Sequence, residues 1–485
     1  MKLIELLRPW ATSAIPIDCD VFGLQNDSRQ VKPGYLFIAY PGAAADGRLF
    51  VEQASLAGAA AIVYEPENVP KACSLPNNIP CVPISGLAEK LSAIASRFYD
   101  YPTRSLSVTG VTGTNGKTTI AYQLAQAYGL LGQKAAYIGT IGQGDVGDLK
   151  PLINTTPDAL CLQQLLDEYR QSGVRQLCME VSSHALDQGR VENIDFTSAI
   201  YTNLSHDHLD YHHTMQAYAE AKAELFAMPT LKNAIINHDD AYSQQMIKKL
   251  PASCQKLTYG LQDECDVRAV NWQISMLGSE MEIISPWGQH QVRVNLLGKF
   301  NIYNSLAVYA SLLAQGIPVV DVVDVMCKLK ASPGRMEVVG QKPCVIVDYA
   351  HTPDALENVL TTLQQLKQGR LGVVFGCGGD RDKTKRPIMG RIASQYADFA
   401  IVTSDNPRTE DPTQIVEEVA QGFLPAAEVI KIINREEAIQ HALDMASPQD
   451  IVLIAGKGHE SYQQIGTERF VFSDQDVVRK LLKNN

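Results

Sequence analysis

The chain has 485 residues, enough for two to four domains that each bury a core of their own. Apolar residues make up 45% and charged residues 20%, the balance of an ordinary folded protein rather than of a disordered or membrane-embedded one. A formal net charge of −11 argues against nucleic acid or an anionic membrane as the main partner and leaves room for a local basic pocket that takes an anionic small molecule. No apolar run approaches the roughly 18 residues of a membrane span. The start, Met1-Lys2-Leu3-Ile4-Glu5-Leu6-Leu7-Arg8, lacks a secretory apolar stretch, so a soluble cytoplasmic protein without membrane insertion is expected. The ten cysteines include no C-x-x-C pair, and Cys178, Cys344 and Cys377, set in apolar runs, read as reduced core thiols.

Residues 1–101 read as a small α/β unit, with strands at 36–39 and 60–64 around a helix at 50–57. The polar pieces Asn26-Asp27-Ser28-Arg29 and Asp46-Gly47-Arg48 flank the first strand and are either ligand loops or plain turns. A break at Tyr101-Pro102-Thr103 opens a second segment, 102–332. There strand and helix patterns alternate at 106–112, 120–131, 134–140, 159–171, 176–182, 198–204, 215–227 and 233–237, which predicts a mostly parallel sheet with helices on its faces. Ser332-Pro333-Gly334-Arg335 marks the next break. From 333 to 485 a third alternating series has strands at 345–347, 371–375, 399–403, 429–433 and 451–455.

The second segment is built around Gly113-Thr114-Asn115-Gly116-Lys117-Thr118-Thr119, which follows an apolar strand and runs into a helix. Backbone N–H groups of such a loop and of the helix start surround phosphate oxygens. Lys117 brings a point charge to the β- and γ-phosphates, and the Thr118 hydroxyl can ligate Mg²⁺. The usual G-x-x-x-x-G-K-[ST] pattern is not met, because Val111 stands where its first glycine belongs. ATP or GTP is the expected ligand, the alternative being a glycine turn before a helix.

Ligands of parallel sheets sit beyond the carboxyl ends of the strands. Three polar clusters fall there: Asn154-Thr155-Thr156-Pro157, then Glu180 with Ser182-Ser183-His184, then the stretch from Asn203 to His213. The last has four histidines and two aspartates in the eight residues from His206 to His213, but no cysteine and no H-E-x-x-H. Oxygen ligands plus one imidazole suit a hard ion better than zinc, so Glu180 and His208 are candidate Mg²⁺ ligands. Lys222 reads from composition alone as a solvated helix lysine paired with a glutamate. In the third segment four strands end in charged loops: Asp348 to Asp354, Gly378-Gly379-Asp380-Arg381-Asp382-Lys383, Ser404-Asp405-Asn406-Pro407-Arg408 and Gly456-Lys457-Gly458-His459-Glu460. Four such loops on one sheet edge point to a binding face.

Taken in order, G-T-N-G-K-T-T, E-V-S-S-H, D-H-L-D-Y-H, G-x-F-N-x-Y-N, P-G-R-M-E, D-Y-A-H-T-P-D, G-G-D-R-D, D-N-P-R and G-K-G-H-E resemble the Mur ligase family over essentially the whole chain. The resemblance implies three α/β domains: a uridine-nucleotide domain at 1–101, a central P-loop ATPase domain with a mostly parallel sheet at 102–332, and a Rossmann-like amino-acid domain at 333–485. It implies an ATP- and Mg²⁺-dependent ligase of peptidoglycan precursor synthesis that phosphorylates a carboxylate and lets an amine displace the phosphate. By the same resemblance Gly113 to Thr119 hold ATP, with Asn301 and His351 near its base or ribose. Lys117, Glu180, His208 and Lys222 are catalytic, and Thr118, Glu180 and His208 bind metal. Lys222 matches the family lysine that becomes a carbamate and holds a second Mg²⁺. Asn26 and Ser28 match uridine contacts, and Asn154, Thr155, Thr156, Ser182, Gln188 and Arg190 match residues that hold the UDP-muramoyl dipeptide.

Specificity is expected to rest on Asp405-Asn406-Pro407-Arg408, with Arg381, Gly456 and Glu460. Meso-diaminopimelate differs from lysine by one carboxylate and one stereocentre, and a guanidinium grips that carboxylate bidentately. Members that add diaminopimelate carry D-N-P-R, whereas lysine-adding members usually lack this arginine. The alternatives are a lysine-adding member, a glutamate-adding ligase like the folylpolyglutamate synthases, and a nucleotide-dependent switch protein that forms no amide. Two departures stand out: Ala43-Ala44-Ala45 replaces a more polar stretch, and His206 stands where many members have arginine. The partners expected are small molecules alone, acting on a monomer.

Overall fold

The computed structural model describes residues 1–12, 14–15, 17–42, 45–425 and 427–484. Ala43 and Ala44, part of the stretch that departs from the family pattern, lie outside the described residues.

The first elements are α1 (Leu3–Leu7), β1 (Gly23–Gln25), β2 (Tyr35–Ala39), α2 (Val51–Leu56), β3 (Ala61–Tyr64), β4 (Cys81–Pro83) and α3 (Leu87–Phe98). The strands pair in chain order, all parallel. Alternation decides which face each residue covers. Leu36, Ile38, Ala61 and Val63 pack with Leu87, Leu91 and Ile94 of α3, while Phe37, Ala39 and Ile62 pack with Val51 and Ala54 of α2. The start of α3 is held by Glu65, whose carboxylate accepts from the Leu87 amide at 2.9 Å.

The chain continues through β5 (Ser107–Thr112), α4 (Lys117–Leu130), β6 (Ala135–Gly139), β7 (Gly142–Asp145), β8 (Asp148–Lys150), α5 (Ala159–Gln171), β9 (Gln176–Glu180), α6 (Ser183–Asp187), β10 (Phe196–Tyr201), α7 (Leu209–His212), α8 (Met215–Ala223), β11 (Asn233–Asn237), α9 (Ser243–Lys249) and β12 (Gln255–Gly260). Strands pair as β10-β5-β9-β6-β7-β8, with β10, β5, β9 and β6 mutually parallel. The four carboxyl ends therefore share one edge and deliver Thr202, Gly113, Glu180 and Thr140 to it. Beyond β12 come β13 (Val267–Ser275), β14 (Gly278–Ser285) and β15 (Gly288–Val294), an antiparallel meander, then α10 (Lys299–Ala314) and α11 (Val319–Met326). The sequence reading assigned no strands over 267–294. Many of their residues are exposed or only partly buried, which dilutes the apolar signal, and only the turns at Leu277-Gly278 and Trp287-Gly288 mark them.

The last series is β16 (Glu337–Gln341), β17 (Cys344–Asp348), α12 (Pro353–Leu366), β18 (Leu371–Phe375), α13 (Lys385–Tyr396), β19 (Phe399–Val402), α14 (Pro412–Ala420), β20 (Val429–Lys431), α15 (Arg435–Met445), β21 (Ile451–Ala455), β22 (Tyr462–Ile465), β23 (Glu468–Val471) and α16 (Asp474–Asn484). Strand order is β16-β17-β21-β18-β19-β20, parallel throughout apart from β16. Strand β21, the last of the parallel set in sequence, lies between β17 and β18, so its carboxyl end sits among the loops that follow those strands. One face buries Ile346, Val373, Phe375 and Leu453 under α12, α13 and α14; the other buries Val345, Val347, Val374 and Ile454 under α15 and α16. Cys178, Cys265 and Cys377 are buried, and Cys344 is only half-buried, at the amino end of its strand.

Contact density divides the fold into two compact units: Met1–Thr114 with Gly132–Ala234 and Gln244–Lys256, and Asn115–Leu131 with Ile235–Ser243 and Leu257–Asn485. In the second unit Arg435, at the start of α15, pairs bidentately with Asp474, at the start of α16, at 2.8 Å for each bond, and neither side chain is exposed. Its Nη2 also donates to the Ala455 carbonyl at 2.9 Å. Arg435→Met leaves a buried carboxylate without its cation, so we expect it to cost about 3–5 kcal/mol, read as a lowered urea midpoint. An unchanged midpoint would refute this assignment of stability to the pair. Among the described residues no helix is long and apolar enough to cross a membrane.

Candidate active site

The glycine loop has the geometry that its residues dictate. Gly113 has φ +146° and Gly116 φ +88°, the second capping α4. A side chain at Gly113 would collide with the Thr202 hydroxyl. The Thr114 amide donates to the Asn203 carbonyl at 2.8 Å, and the Ser205 amide donates to the Thr114 hydroxyl at 3.0 Å. The loop is thus fastened to the chain leaving β10. Lys117 is the first residue of α4 and half-buried; Thr118 and Thr119 are buried and Asn115 is exposed.

Within the second unit, Arg335 donates from Nη2 to the Thr118 hydroxyl at 3.3 Å, and its guanidinium lies 4.3 Å from the Tyr349 ring centre. The turn that presents it is tight. Gly334 has φ +65°, and a side chain there would strike the backbone of Gly458 and His459. Asp348, buried at the end of β17, accepts from the amides of Met336 at 2.7 Å and Ala350 at 2.8 Å. Burial pushes its carboxyl above the usual carboxylate range, against the pull of Arg335. The sequence reading quoted P-G-R-M-E but gave Arg335 no role. The signal was a lone cation directly after a Pro-Gly break.

In the first unit the centre is Glu180, fully buried at the end of β9. Its Oε1 accepts from the Tyr137 hydroxyl at 2.5 Å and the Thr140 amide at 2.8 Å, and its Oε2 from the Thr140 hydroxyl at 3.1 Å. Around it stand residues expected to hold the acceptor substrate. Thr155 meets Thr140 at 3.0 Å, Thr156 donates to the Glu180 carbonyl at 2.9 Å, and the Ser182 amide donates to Thr156 at 3.1 Å. Arg190 donates to the Thr156 carbonyl at 3.0 Å and, through Nε, to Gln188 at 3.0 Å. Gly139 backs this cluster, and a Cβ there would run into Glu180 Oε1 and the Tyr137 hydroxyl. Gly139→Ala should therefore displace the carboxylate and lower kcat by about 10–100-fold, with a smaller loss in thermal stability. Wild-type kcat in this variant would show that the position of Glu180 is not critical.

Lys222, on α8, is 1% exposed. Its ammonium donates to the Gly113 carbonyl at 2.9 Å and lies 4.5 Å from the Tyr218 ring centre. Tyr218 stacks on His212, whose Nε2 lies 2.9 Å from the Ser183 hydroxyl. The helix lysine expected from composition to be solvated is instead buried against the phosphate loop. His208 has φ +54°, caps the start of α7, and meets His184 edge-on at 5.1 Å. Burial lowers the affinity of His184 and His212 for protons, and the charge of Lys222 acts in the same direction on both. His206 is exposed.

At the amino-terminal end, Ser28 is buried and donates to Gln53 at 2.9 Å, and Asn26 donates to the Tyr40 hydroxyl at 3.3 Å. Tyr40, absent from the sequence reading, is pushed up mainly by burial and feels the charges of Asp158 and Arg190.

The third-segment loops are stapled together. Arg408, with φ +51°, donates from Nη1 to the Gly379 carbonyl at 2.7 Å, and the Gly379 amide donates to the Asn406 carbonyl at 2.9 Å. Asp380 accepts from the Thr409 hydroxyl at 2.7 Å, and buried Arg386 pairs with Glu410 at 3.0 Å and Glu418 at 2.7 Å. Asp405, Asn406 and Pro407 are buried, and a side chain at Gly456 would approach the Asp405 carboxylate at 2.6 Å. Arg381 and Asn154 are exposed, and His351 is exposed with Nδ1 2.9 Å from the Tyr349 carbonyl. Asn301 is buried, its amide engaged with the Leu297 carbonyl and with Asn304, both at 2.8 Å.

The described residues contain no cluster of three or more His, Cys, Asp or Glu side chains arranged to hold a metal. Taken singly, the Thr118 hydroxyl, the buried Glu180 carboxylate and the His208 imidazole are donor types that Mg²⁺ accepts, an ion that keeps waters and takes much of its shell from substrate phosphates.

Family profiles match in succession: the Mur ligase catalytic domain at 20–99, the Mur ligase middle domain at 111–312 and the Mur ligase glutamate ligase domain at 334–458. The chain is 46% identical over 464 residues to the UDP-N-acetylmuramoyl-L-alanyl-D-glutamate–2,6-diaminopimelate ligase of Chromobacterium violaceum, covering 95% of this chain and 94% of that one. It is 44% identical over 491 residues to the Neisseria meningitidis protein of the same name, covering 99% of each. A solved structure of a ligase so named superimposes with a TM-score of 0.71 at 38% identity, covering 100% of this chain and 99% of that one. A Mycobacterium tuberculosis folylpolyglutamate synthase shares the fold, with a TM-score of 0.64 at 18% identity over 76% of this chain and 92% of its own. With three α/β domain profiles in order and relatives matched along nearly their whole length, the chain belongs to the Mur ligase family.

Proposed function

We propose that the chain joins meso-2,6-diaminopimelate to UDP-N-acetylmuramoyl-L-alanyl-D-glutamate, consuming ATP and releasing ADP and inorganic phosphate, in peptidoglycan precursor synthesis. The observation that carries this reading is the stapled D-N-P-R loop. It holds the Arg408 guanidinium on the Gly379 carbonyl, in a loop whose Asp405 and Asn406 are buried, and a guanidinium suits an amino acid with one more carboxylate than lysine. Full-length relatives whose names specify this reaction support it. Substrates that are ATP and a UDP-linked precursor place the work in the cytoplasm. The chain itself supplies a phosphate loop, an acceptor cluster and an amino-acid loop, so one monomer holds a complete set.

The assignments of residues follow the segments 1–101, 102–332 and 333–485. Asn26 and Ser28 contact uridine, and Asn154, Thr155, Thr156, Ser182, Gln188 and Arg190 hold the acceptor. Gly113 to Thr119 cradle the triphosphate, with Asn301 and His351 toward base and ribose. Arg381, Asp405, Asn406, Pro407, Arg408, Gly456 and Glu460 take diaminopimelate. A free carboxylate resists attack because its charge repels the amine and oxide cannot leave. Lys117 and Arg335 offset charge on the γ-phosphoryl group as the acceptor carboxylate oxygen bonds to phosphorus and ADP departs. The amine then adds to the carbonyl carbon, inorganic phosphate leaves, and the amine's proton passes to solvent. Mg²⁺, held by Thr118, Glu180 and His208, would neutralise phosphate charge. Lys222, after its neutral amine adds CO₂ and sheds a proton, would present a carbamate oxygen pair in place of an ammonium.

The deciding experiment is mass detection of product from ATP, the UDP-linked dipeptide and either diaminopimelate or lysine. Product and ADP are expected only with diaminopimelate. Equal product with lysine would favour the lysine-adding reading, and ADP release without acceptor would remove the ligase reading altogether.

A further inference from the structure

We propose that Lys457 is a positioning residue for the incoming amino acid, acting through Asn406 and Glu460. It rests on the diaminopimelate reading above and extends it to a side chain that the motif comparison left without a role. Lys457 is 0% exposed. Its ammonium donates to Asn406 Oδ1 at 3.1 Å and to Glu460 Oε2 at 2.9 Å, and lies 5.5 Å from the Tyr462 ring centre. A buried ammonium is costly unless matched in this way, so the contacts define a fixed geometry rather than a passing one.

That geometry constrains both partners. Asn406 Oδ1 also accepts from the Gln464 amide at 2.9 Å. Neither donor can accept, so the carboxamide has one orientation, and its Nδ2 points to Glu460 Oε2 at 2.8 Å. Glu460 Oε2 is saturated by Asn406 and Lys457, which leaves Oε1 as the oxygen able to receive a substrate ammonium. The backbone of the D-N-P-R loop is held separately. Gln463 donates to the Asp405 carbonyl at 2.7 Å, the Arg408 amide to the Gln464 carbonyl at 3.1 Å, and the Gly466 amide to the Arg408 carbonyl at 2.7 Å. Loss of the ammonium would therefore free the carboxamide and carboxylate without releasing the loop.

The test uses the full chain and compares Lys457→Met with wild type in ADP release assays. KM for diaminopimelate is expected to rise about 30-fold while KM for ATP and for the UDP-linked dipeptide stays within about twofold. In a cycle with Glu460→Gln the double variant should lose markedly less than the product of the single losses, because both act on one carboxylate. Unchanged KM for diaminopimelate, or multiplicative losses, would overturn the proposal. If Lys457→Met does not fold, Lys457→Arg keeps the charge but misplaces its donors, and a wild-type KM in that folded variant overturns the proposal equally. Wild-type enzyme that ignores diaminopimelate would instead refute the functional reading.

Discussion

Arg408→Ala is expected to lower kcat/KM for diaminopimelate by about 10³-fold while ATP binding is retained, because a site built around a bidentate charge pair rejects what it cannot pair. The backbone is not at issue. Arg408 already sits at φ +51°, a conformation that alanine bears no worse, and its backbone bonds to Gln464 and Gly466 do not involve the side chain. Nη1 is committed to the Gly379 carbonyl at 2.7 Å, which aims the rest of the fork. Lysine has one rotatable ammonium and no fork, so Arg408→Lys should recover little of the loss. The measurement pairs steady-state ADP release with equilibrium ATP binding on the same preparation. Wild-type turnover in Arg408→Ala would remove the specificity argument.

Glu180→Gln is expected to lower ADP formation by about 10²–10³-fold and to destabilise the fold by about 1–3 kcal/mol. Three donors converge on this carboxylate, from Tyr137, the Thr140 amide and the Thr140 hydroxyl. A carboxamide has one acceptor oxygen, so its NH₂ must turn to the Thr140 hydroxyl, which then accepts instead of donating, and the charge-assisted character of all three bonds is lost in a buried site. The charge that would hold the dication is lost as well. Thermal unfolding and product assays read the two effects separately. A folded variant with unaltered activity would exclude Glu180 from the chemistry.

Much of the architecture follows from local pattern. The strands at 371–375 and 451–455 coincide with β18 and β21, because each is a short continuous apolar run bounded by turns, the mark of a strand buried on both faces. The meander β13 to β15 escaped the same logic because solvent covers one side of it. The brief elements β1, β4 and α1, five residues or fewer, carry too little periodicity to register.

For the site, the residue types, their spacing and the order of motifs single out Lys117, Thr118, Glu180 and the D-N-P-R loop as candidates. Their proposed roles depend on backbone turns and side-chain chemistry that neighbours in sequence define. Burial and long-range pairing were not legible. Lys222 read as a surface cation until α8 set it against the Gly113 carbonyl, 109 positions away. Arg335 gained its contact with Thr118 across 217 positions, and Lys457 its hold on Asn406 across 51. Sequence determines which groups the chain owns and which local conformations they favour. Only the tertiary fold decides which charges lose their water and what they then must pair with.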